Sequence, residues 1–456
     1  MTRSCWLVPG DESCSECTLD PSTEDQVRGL ENVMKRPRLL VMCLALFLLT
    51  LWRYWIPYDP TDFVHRDPES QRLAYSIFEH GRFANPFVPL DTGPSAHLSP
   101  IFPGFLALLM KGFGTGSVGM YVEKMSAVLI LGIELALLPL CGEILGMGVG
   151  TGILAALLWL LGMPRLLYGF ENLYAAGLAM AACWLYRLFM DDRRRSWALG
   201  LVAGLAILLE PPLLLVFASW MVWELRHHRG ARLLPLALFP CLVLLPWTMR
   251  NYMVFHRLVL LRDDLGLELA VSNNDCAKFG IKASMAAGCF SKMHPNDSLA
   301  EAARMRAMGE IPYNHARQEE AVAWIASHPS RFAKLTAERV VAFWLPTETF
   351  AFPRDYTSGR TWEREVIYCM TALSMPGLIL MFHRDRQSAG ALCSFLVFFP
   401  LIYYVVQFEY RYRYPILWIT YLLGAFSLIQ LGKRLTLLRR GKQKEARATQ
   451  PMLVGA

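Results

Sequence analysis

Residues 35–58 read KRPRLLVMCLALFLLTLWRYWIPY. A basic cluster (Lys35, Arg36, Arg38) is followed by an unbroken apolar run from Leu39 to Leu51, then by Trp52, Tyr54, Trp55 and Tyr58. Positive charge, hydrocarbon and an aromatic belt, in that order, describe a membrane-crossing helix whose basic end stays inside. The run starts far from the N-terminus and has no small-residue cleavage site after it, so it reads as a retained signal anchor. The polar residues 1–38 before it read as a disordered cytoplasmic tail. Every later apolar segment can be oriented by counting from this one.

The whole chain fits that beginning. Of 456 residues, 54% are hydrophobic and 18% charged, against roughly a quarter charged in a soluble domain. Mean hydropathy is +0.31. These values exclude a disordered chain, a collagen and an ordinary soluble enzyme. The net charge of +7 is concentrated in short runs beside apolar segments: 193–195, 226–229, 383–386 and 433–447. That distribution follows the positive-inside rule. No basic face with interleaved aromatics indicates nucleic-acid binding.

The sequence predicts an all-α polytopic membrane protein of about 10–12 spans of ~20 residues each. Residues 39–249 form a transmembrane bundle interrupted by an outer loop, 57–98. Residues 250–364 form an extracytoplasmic region, residues 365–431 the C-terminal spans, and 432–456 a basic cytoplasmic tail. Four apolar stretches (99–112, 125–141, 152–163, 172–190) stand where the charge pattern requires an odd number of crossings, so one is re-entrant or an extra short span is hidden. Residues 196–225 read as two short spans meeting at Glu210-Pro211-Pro212, and 329–346 as an interfacial amphipathic helix. Gly146-Met147-Gly148-Val149-Gly150 reads as helix packing or a turn.

Of the 11 cysteines, several lie inside apolar runs as small packing residues. Cys14 and Cys17 have two-residue spacing, but the second pair that a zinc site needs is missing. Cys276 and Cys289 share one extramembrane loop and could pair if it faces an oxidising compartment; the sequence leaves open whether they do. Asn296-Asp297-Ser298 is a sequon.

The chemistry-bearing residues lie at the outer boundaries. Pro68 opens a helix with Asp67 as N-cap, and Gly81 closes it. This places Glu69 in the first turn, where the helix dipole favours an acid and where a carboxylate can take a proton from an attacking hydroxyl. His97 either meets a phosphate or hydroxyl or caps a turn. Arg250 suits an anionic head group, since guanidinium forks match phosphate oxygens, or else it snorkels. Arg411 and Arg413 run against the inside bias, which favours a function. Glu210, a charge among apolar residues, is functional or simply reaches the outer turn. Glu171 is a similar boundary acid. No Walker-type, HExxH or GxSxG motif is present.

Taken in order, Glu69-Ser70-Gln71-Arg72-Leu73-Ala74, Gly81-Arg82-Phe83, Ser99-Pro100-Ile101-Phe102-Pro103, Pro246-Trp247-Thr248-Met249-Arg250-Asn251-Tyr252, Ser272-Asn273-Asn274, His328-Pro329, Phe343-Trp344 and Arg411-Tyr412-Arg413-Tyr414-Pro415 resemble the family 39-like group of polytopic GT-C glycosyltransferases, which includes protein O-mannosyltransferases and the lipid A aminoarabinose transferase. The resemblance covers residues 39–431. It implies transfer of a sugar from a polyprenyl-phosphate donor to a hydroxyl of an acceptor lipid, glycan or protein, with inversion, on the outer face of the inner (plasma) membrane. It puts the general base on Glu69 and substrate or donor-phosphate contacts on Arg72, His97, Arg250, Arg411, Arg413 and Tyr414. It calls for no metal and no cofactor. Family members often carry Asp at position 69, sometimes with a second acid where this chain has Ser70, and a basic residue where it has Glu210. A transporter or flippase of lipid-linked sugars, or a non-catalytic assembly protein, would share the spans, although the halves show no internal symmetry.

Overall fold

The computed structural model describes residues 37–55, 68–162, 170–189, 196–227, 233–345 and 361–448. The ends of the chain and the Pro353-Arg354-Asp355-Tyr356 segment lie outside the described residues. All regular structure described is helical, and the only β contacts among the described residues are two isolated bridges, Ala84 to Pro94 and Gly280 to Phe408.

Nine helices build the first part: α1 (Pro37–Tyr54), α2 (Pro68–His80), α3 (Ile101–Phe113), α4 (Ser117–Ile144), α5 (Val149–Gly162), α6 (Phe170–Phe189), α7 (Ser196–Leu209), α8 (Leu213–His227) and α9 (Leu233–Phe255). Six short or amphipathic helices follow: α10 (Leu265–Ser272), α11 (Ile281–Ala286), α12 (Phe290–Met293), α13 (Leu299–Met308), α14 (Glu310–Ser327) and α15 (Pro329–Trp344). The chain ends with α16 (Thr361–Arg384), α17 (Arg386–Phe398), α18 (Leu401–Val405) and, after a 3-10 turn at Tyr410–Arg413, α19 (Tyr414–Ala448).

Six of the described helical segments are long and apolar enough to cross a membrane: Pro37–Tyr54, Ser117–Ile144, Leu234–Phe255, Arg364–Arg384, Arg386–Val405 and Tyr410–Arg440. Helices α3, α5 and α7 are apolar but shorter, at 13–14 residues. At 1.5 Å per residue they rise only about 20 Å, less than a ~30 Å hydrocarbon core.

The apolar surface separates hub from perimeter. In α19, Ile416, Leu417, Trp418, Ile419, Leu422 and Leu423 are all fully buried, as expected of a helix apolar on every side. It packs against α5, α6 and α16, and Tyr421 stacks on Trp159 with ring centroids 5.7 Å apart. Helix α9 is the reverse. Leu234, Leu238, Leu242, Leu245 and Met249 form an exposed stripe along it, a face that suits hydrocarbon and would be costly in water.

Several sequence expectations meet their structural outcome here. The break at Glu210-Pro211-Pro212 separates α7 from α8, because two prolines cannot donate within a continuing helix. In the glycine run, residues 146–148 form a turn, with φ +74° at Gly146 and +90° at Gly148, and Val149 and Gly150 open α5. Residues 329–344 form α15, whose buried face carries Leu335, Arg339, Ala342 and Phe343. Beyond residue 431 the chain continues α19 to Ala448, since Lys, Arg, Leu and Gln are good helix formers and nothing stops the helix at the end of its apolar part. Cys276 and Cys289 are joined as a disulfide, with Cα atoms 5.5 Å apart.

The α4–α5 contact depends on Gly152. A Cβ there would run into the carbonyl of Leu138 and the backbone of Pro139. Gly152→Leu is expected to destabilise the bundle by about 1–3 kcal/mol, the usual cost of overpacking, read as a lower melting temperature in detergent. An unchanged melt would show that the two helices can separate freely.

Candidate functional site

The site is built on a fixed loop. Helix α2 starts at Pro68, with Glu69 in its first turn, and Gly81 ends it at φ +64°. Its Ala74 and Ile77 pack with Phe102 and Leu106 of α3. The intervening chain doubles back on itself. Asn85 N–H donates to Gly93 O at 2.9 Å and Ser95 N–H to Phe83 O at 3.1 Å, while Gly93 N–H donates to the Asn85 side chain at 2.8 Å. Phe87, at the tip, is fully buried among Leu267, Val271, Met305 and Tyr313 of α10, α13 and α14. This anchors the loop to the layer of short helices and sets the position of His97 at its end.

His97 Nε2 lies 3.2 Å from Glu69 Oε2. His294, just beyond α12, places Nε2 3.6 Å from Glu69 Oε1. Phe87 meets both imidazoles edge-on, at 4.9 Å and 5.8 Å, and Phe290 stacks on His294 at 4.3 Å. The Glu69 side chain is 17% exposed and both histidine side chains 2%.

Burial alone would raise the Glu69 carboxyl. The charge and hydrogen bond of His97, then the charges of His294 and Arg411, outweigh it and hold Glu69 down at about 2. Burial would likewise lower His97, but Glu69 overcomes this, with help from Asp264 and Glu310, and His97 is raised to about 9. Burial and the nearby His97 charge push His294 down to about 4 against the pull of Glu69. At neutral pH the site therefore holds a carboxylate, an imidazolium and a neutral imidazole.

The Asn296 N–H donates to His294 Nδ1 at 3.1 Å, so in the neutral ring the proton sits on Nε2, the nitrogen facing Glu69. Glu69, His97 and His294 each offer a ligand atom within 4.8 Å of the others, a gathering that the sequence reading, with its expectation of no metal, did not contain. A divalent cation there would have to displace the His97 proton. It would also conflict with the His294 tautomer, because Nε2 can ligate only after giving up its proton while Nδ1 still faces a backbone donor. The three residues can gather around a cation in distance but fit it poorly in protonation.

A second polar group adjoins the first. Glu210 is buried and accepts from Asn172 Nδ2 at 2.9 Å and from Tyr403 O–H at 2.5 Å. Arg262 pairs with Asp264 at 3.1 Å, and both Arg262 and Arg411 are close enough to act on the Glu210 charge. Arg411 also pairs with Glu409 at 2.6 Å. It thus connects electrostatically to both Glu69 and Glu210. Burial, together with Asp264 and Glu69, raises Glu268 to about 7.

Of the residues singled out in the sequence, the structure brings together Glu69, His97 and Arg411. Arg72 pairs with Asp91 at 2.9 Å in an exposed position. Arg250 donates to Ser95 O at 2.6 Å, Phe83 O at 2.7 Å and Asn251 Oδ1 at 2.9 Å. Arg413 is fully buried and donates to Trp344 O at 2.9 Å and Thr371 Oγ1 at 2.7 Å. Tyr414 is buried, edge-on to Tyr410 at 5.6 Å. His294, Arg262, Asp264, Glu268 and Glu310 were not anticipated. The available signals were the His294-Pro295 step just before the sequon and the Arg262-Asp263-Asp264 charge run following α9.

No family model and no curated protein matches the chain. Solved structures do. The apo oligosaccharyltransferase of Archaeoglobus fulgidus is similar over 90% of this chain and 52% of its own, with 13% identity and a TM-score of 0.52. The same archaeon's oligosaccharyltransferase AglB, in complex with an inhibitory peptide and a dolichol-phosphate, is similar over 90% of this chain and 52% of its own, at 14% identity and TM-score 0.49. ArnT from Cupriavidus metallidurans, bound to undecaprenyl phosphate, is similar over 84% of this chain and 77% of its own, at 14% identity and TM-score 0.35. The fold is GT-C-like, that of a multi-pass, all-helical membrane protein, and the chain spans about half the length of the oligosaccharyltransferase it matches.

The Glu69–His97 pair has a pH signature. Glu69 sits below its ordinary 4.5, so its contribution to stability is present above that value and is lost as pH falls towards about 2. His97 sits above its ordinary 6.5, so its contribution is complete below 6.5 and is lost as pH rises through about 9. The gap in melting temperature between wild type and Glu69→Gln is therefore expected to narrow between pH 6.5 and 9. A gap constant across that range contradicts the pairing.

Proposed function

We propose that the chain is a membrane glycosyltransferase, akin to the family 39-like GT-C group, that moves a sugar from a polyprenyl-phosphate donor to an acceptor hydroxyl on the extracytoplasmic face. The observation that carries the reading is the buried Glu69 carboxylate, held ionised by His97 and within electrostatic reach of Arg411, on a fold like that of an oligosaccharyltransferase. The Cys276–Cys289 disulfide supports placing the short-helix layer in an oxidising compartment. For a bacterial chain that is the periplasmic side of the inner membrane.

In this reading the donor's tail lies in lipid and its phosphate is the leaving group. The acceptor oxygen attacks the anomeric carbon from the face opposite the phosphate. The new C–O bond forms as the bond to phosphate oxygen breaks, its electron pair leaves with the phosphate, and the configuration inverts. Glu69 accepts the hydroxyl proton. A carboxylate near 2 is a weak base, so it acts late, once the forming bond to the anomeric carbon has made the hydroxyl acidic. An anionic phosphate bound nearby also raises its proton affinity. Arg411 and the His97 imidazolium supply positive charge for the leaving group.

The test is transfer by the purified full chain in vesicles carrying polyprenyl-phosphate sugars, with products read by mass spectrometry. Glu69→Gln is expected to cut turnover by about 100-fold or more, the usual scale for a lost general base, with donor still bound. Retained turnover would remove Glu69 from the reaction centre. Movement of the lipid-linked sugar across the bilayer without product would instead identify a flippase.

A further inference from the structure

Arg250 and Glu310 come from elements far apart in sequence, α9 and α14, yet both act on one peptide group. Arg250 Nη1 donates to the carbonyl of Ser95 at 2.6 Å. The N–H of the same peptide unit, on Ala96, donates to Glu310 Oε1 at 2.6 Å. Neighbouring groups are fixed as well. Arg250 Nη2 holds Phe83 O at 2.7 Å, Asp263 N–H donates to Ala96 O at 2.9 Å, and His97 N–H donates to Ser95 Oγ at 2.9 Å. Ser95 and Ala96 are fully buried and His97 nearly so, as is Glu310.

From this geometry we infer that Arg250 and Glu310 form a charged clamp on the Ser95–Ala96 peptide, and that the clamp positions His97 against Glu69. The inference rests on the site reading above and adds two positioning residues to it. A guanidinium on a carbonyl and a carboxylate on an N–H are both charge-assisted bonds, about twice as strong as neutral ones. Arg250 is half-buried and Glu310 buried, and their opposite charges attract across one peptide unit, although burial still outweighs this and raises Glu310 to about 7. The clamp ties the membrane helix α9 and the short-helix layer to the residue directly before His97. This is a different use of Arg250 from a phosphate contact, since its two terminal nitrogens are committed to backbone oxygens of the loop.

The test is hydrogen–deuterium exchange of the full chain in nanodiscs, alongside kinetics with a polyprenyl-phosphate sugar. Arg250→Met and Glu310→Leu are expected to speed exchange at residues 83–98 by about tenfold or more while the membrane helices stay protected. Turnover should fall by about tenfold or more with donor KM unchanged, as for a misplaced catalytic group. Glu310→Gln keeps an acceptor oxygen and should restore both readouts, and Arg250→Lys, which keeps the charge but only one of the two donor nitrogens, should restore them in part. If Arg250→Met does not fold, Arg250→Lys and the two Glu310 variants carry the test. Unchanged exchange in 83–98, exchange spread through the whole bundle, or a rise in donor KM alone would each overturn the clamp. The exchange measurement needs no turnover, so it stands even if the transferase reading fails.

Discussion

The site depends on one buried pair, Glu69 and His97. Burial by itself would neutralise both groups, since a charge removed from water is strongly disfavoured. Together they stay ionised, and this holds only while the two side chains remain in contact. Breaking a buried pair leaves an uncompensated charge and is far more costly than losing a surface one. The rest of the local structure serves that contact. Helix α2 presents Glu69 in its first turn, the 83–97 loop delivers His97, and Phe87 fixes the loop tip in the short-helix layer.

The larger architecture explains why such a pair can exist beside a membrane. A hub helix, α19, apolar on all sides as far as residue 431, collects α5, α6 and α16 around it. Short helices and proline breaks then leave room for polar groups at one end of the bundle, where Glu210, Asn172 and Tyr403 form a second hydrogen-bonded set. Arg411 acts on both Glu69 and Glu210. Arg262 and Arg411 pair with acids two residues away, while Glu69 draws its partners from distant segments, which makes the site a product of the whole fold and of no single motif.

The readable part of the sequence was local. Pro68 and Gly81 bounded α2 and put Glu69 in its first turn, the prolines at 211–212 marked a helix break, and the apolar runs located the long spans. His97 stood out as a polar residue in a proline-rich approach to α3. What the sequence did not disclose were long-range pairings. His294 reaches Glu69 across 225 positions of chain, and its neighbourhood read only as a sequon. Arg250 was legible as a boundary cation but not in its partner, because a guanidinium fork matches carbonyl oxygens as readily as phosphate oxygens. Arg413 was legible as a cation at an outer boundary, but not its burial or its bonds to Trp344 O and Thr371 Oγ1. Glu310 lay in a polar helix with nothing to distinguish it from Glu319 or Glu320.

The most direct measurement is an experimental structure of the full chain in lipid with a polyprenyl-phosphate sugar bound. The account predicts phosphate density in contact with Arg411, and the anomeric carbon facing Glu69 at a separation that leaves room for one attacking oxygen, about 3–3.5 Å from each reacting atom. Phosphate density at the opposite end of the bundle, or a donor whose sugar lies remote from Glu69 and His97, would contradict it.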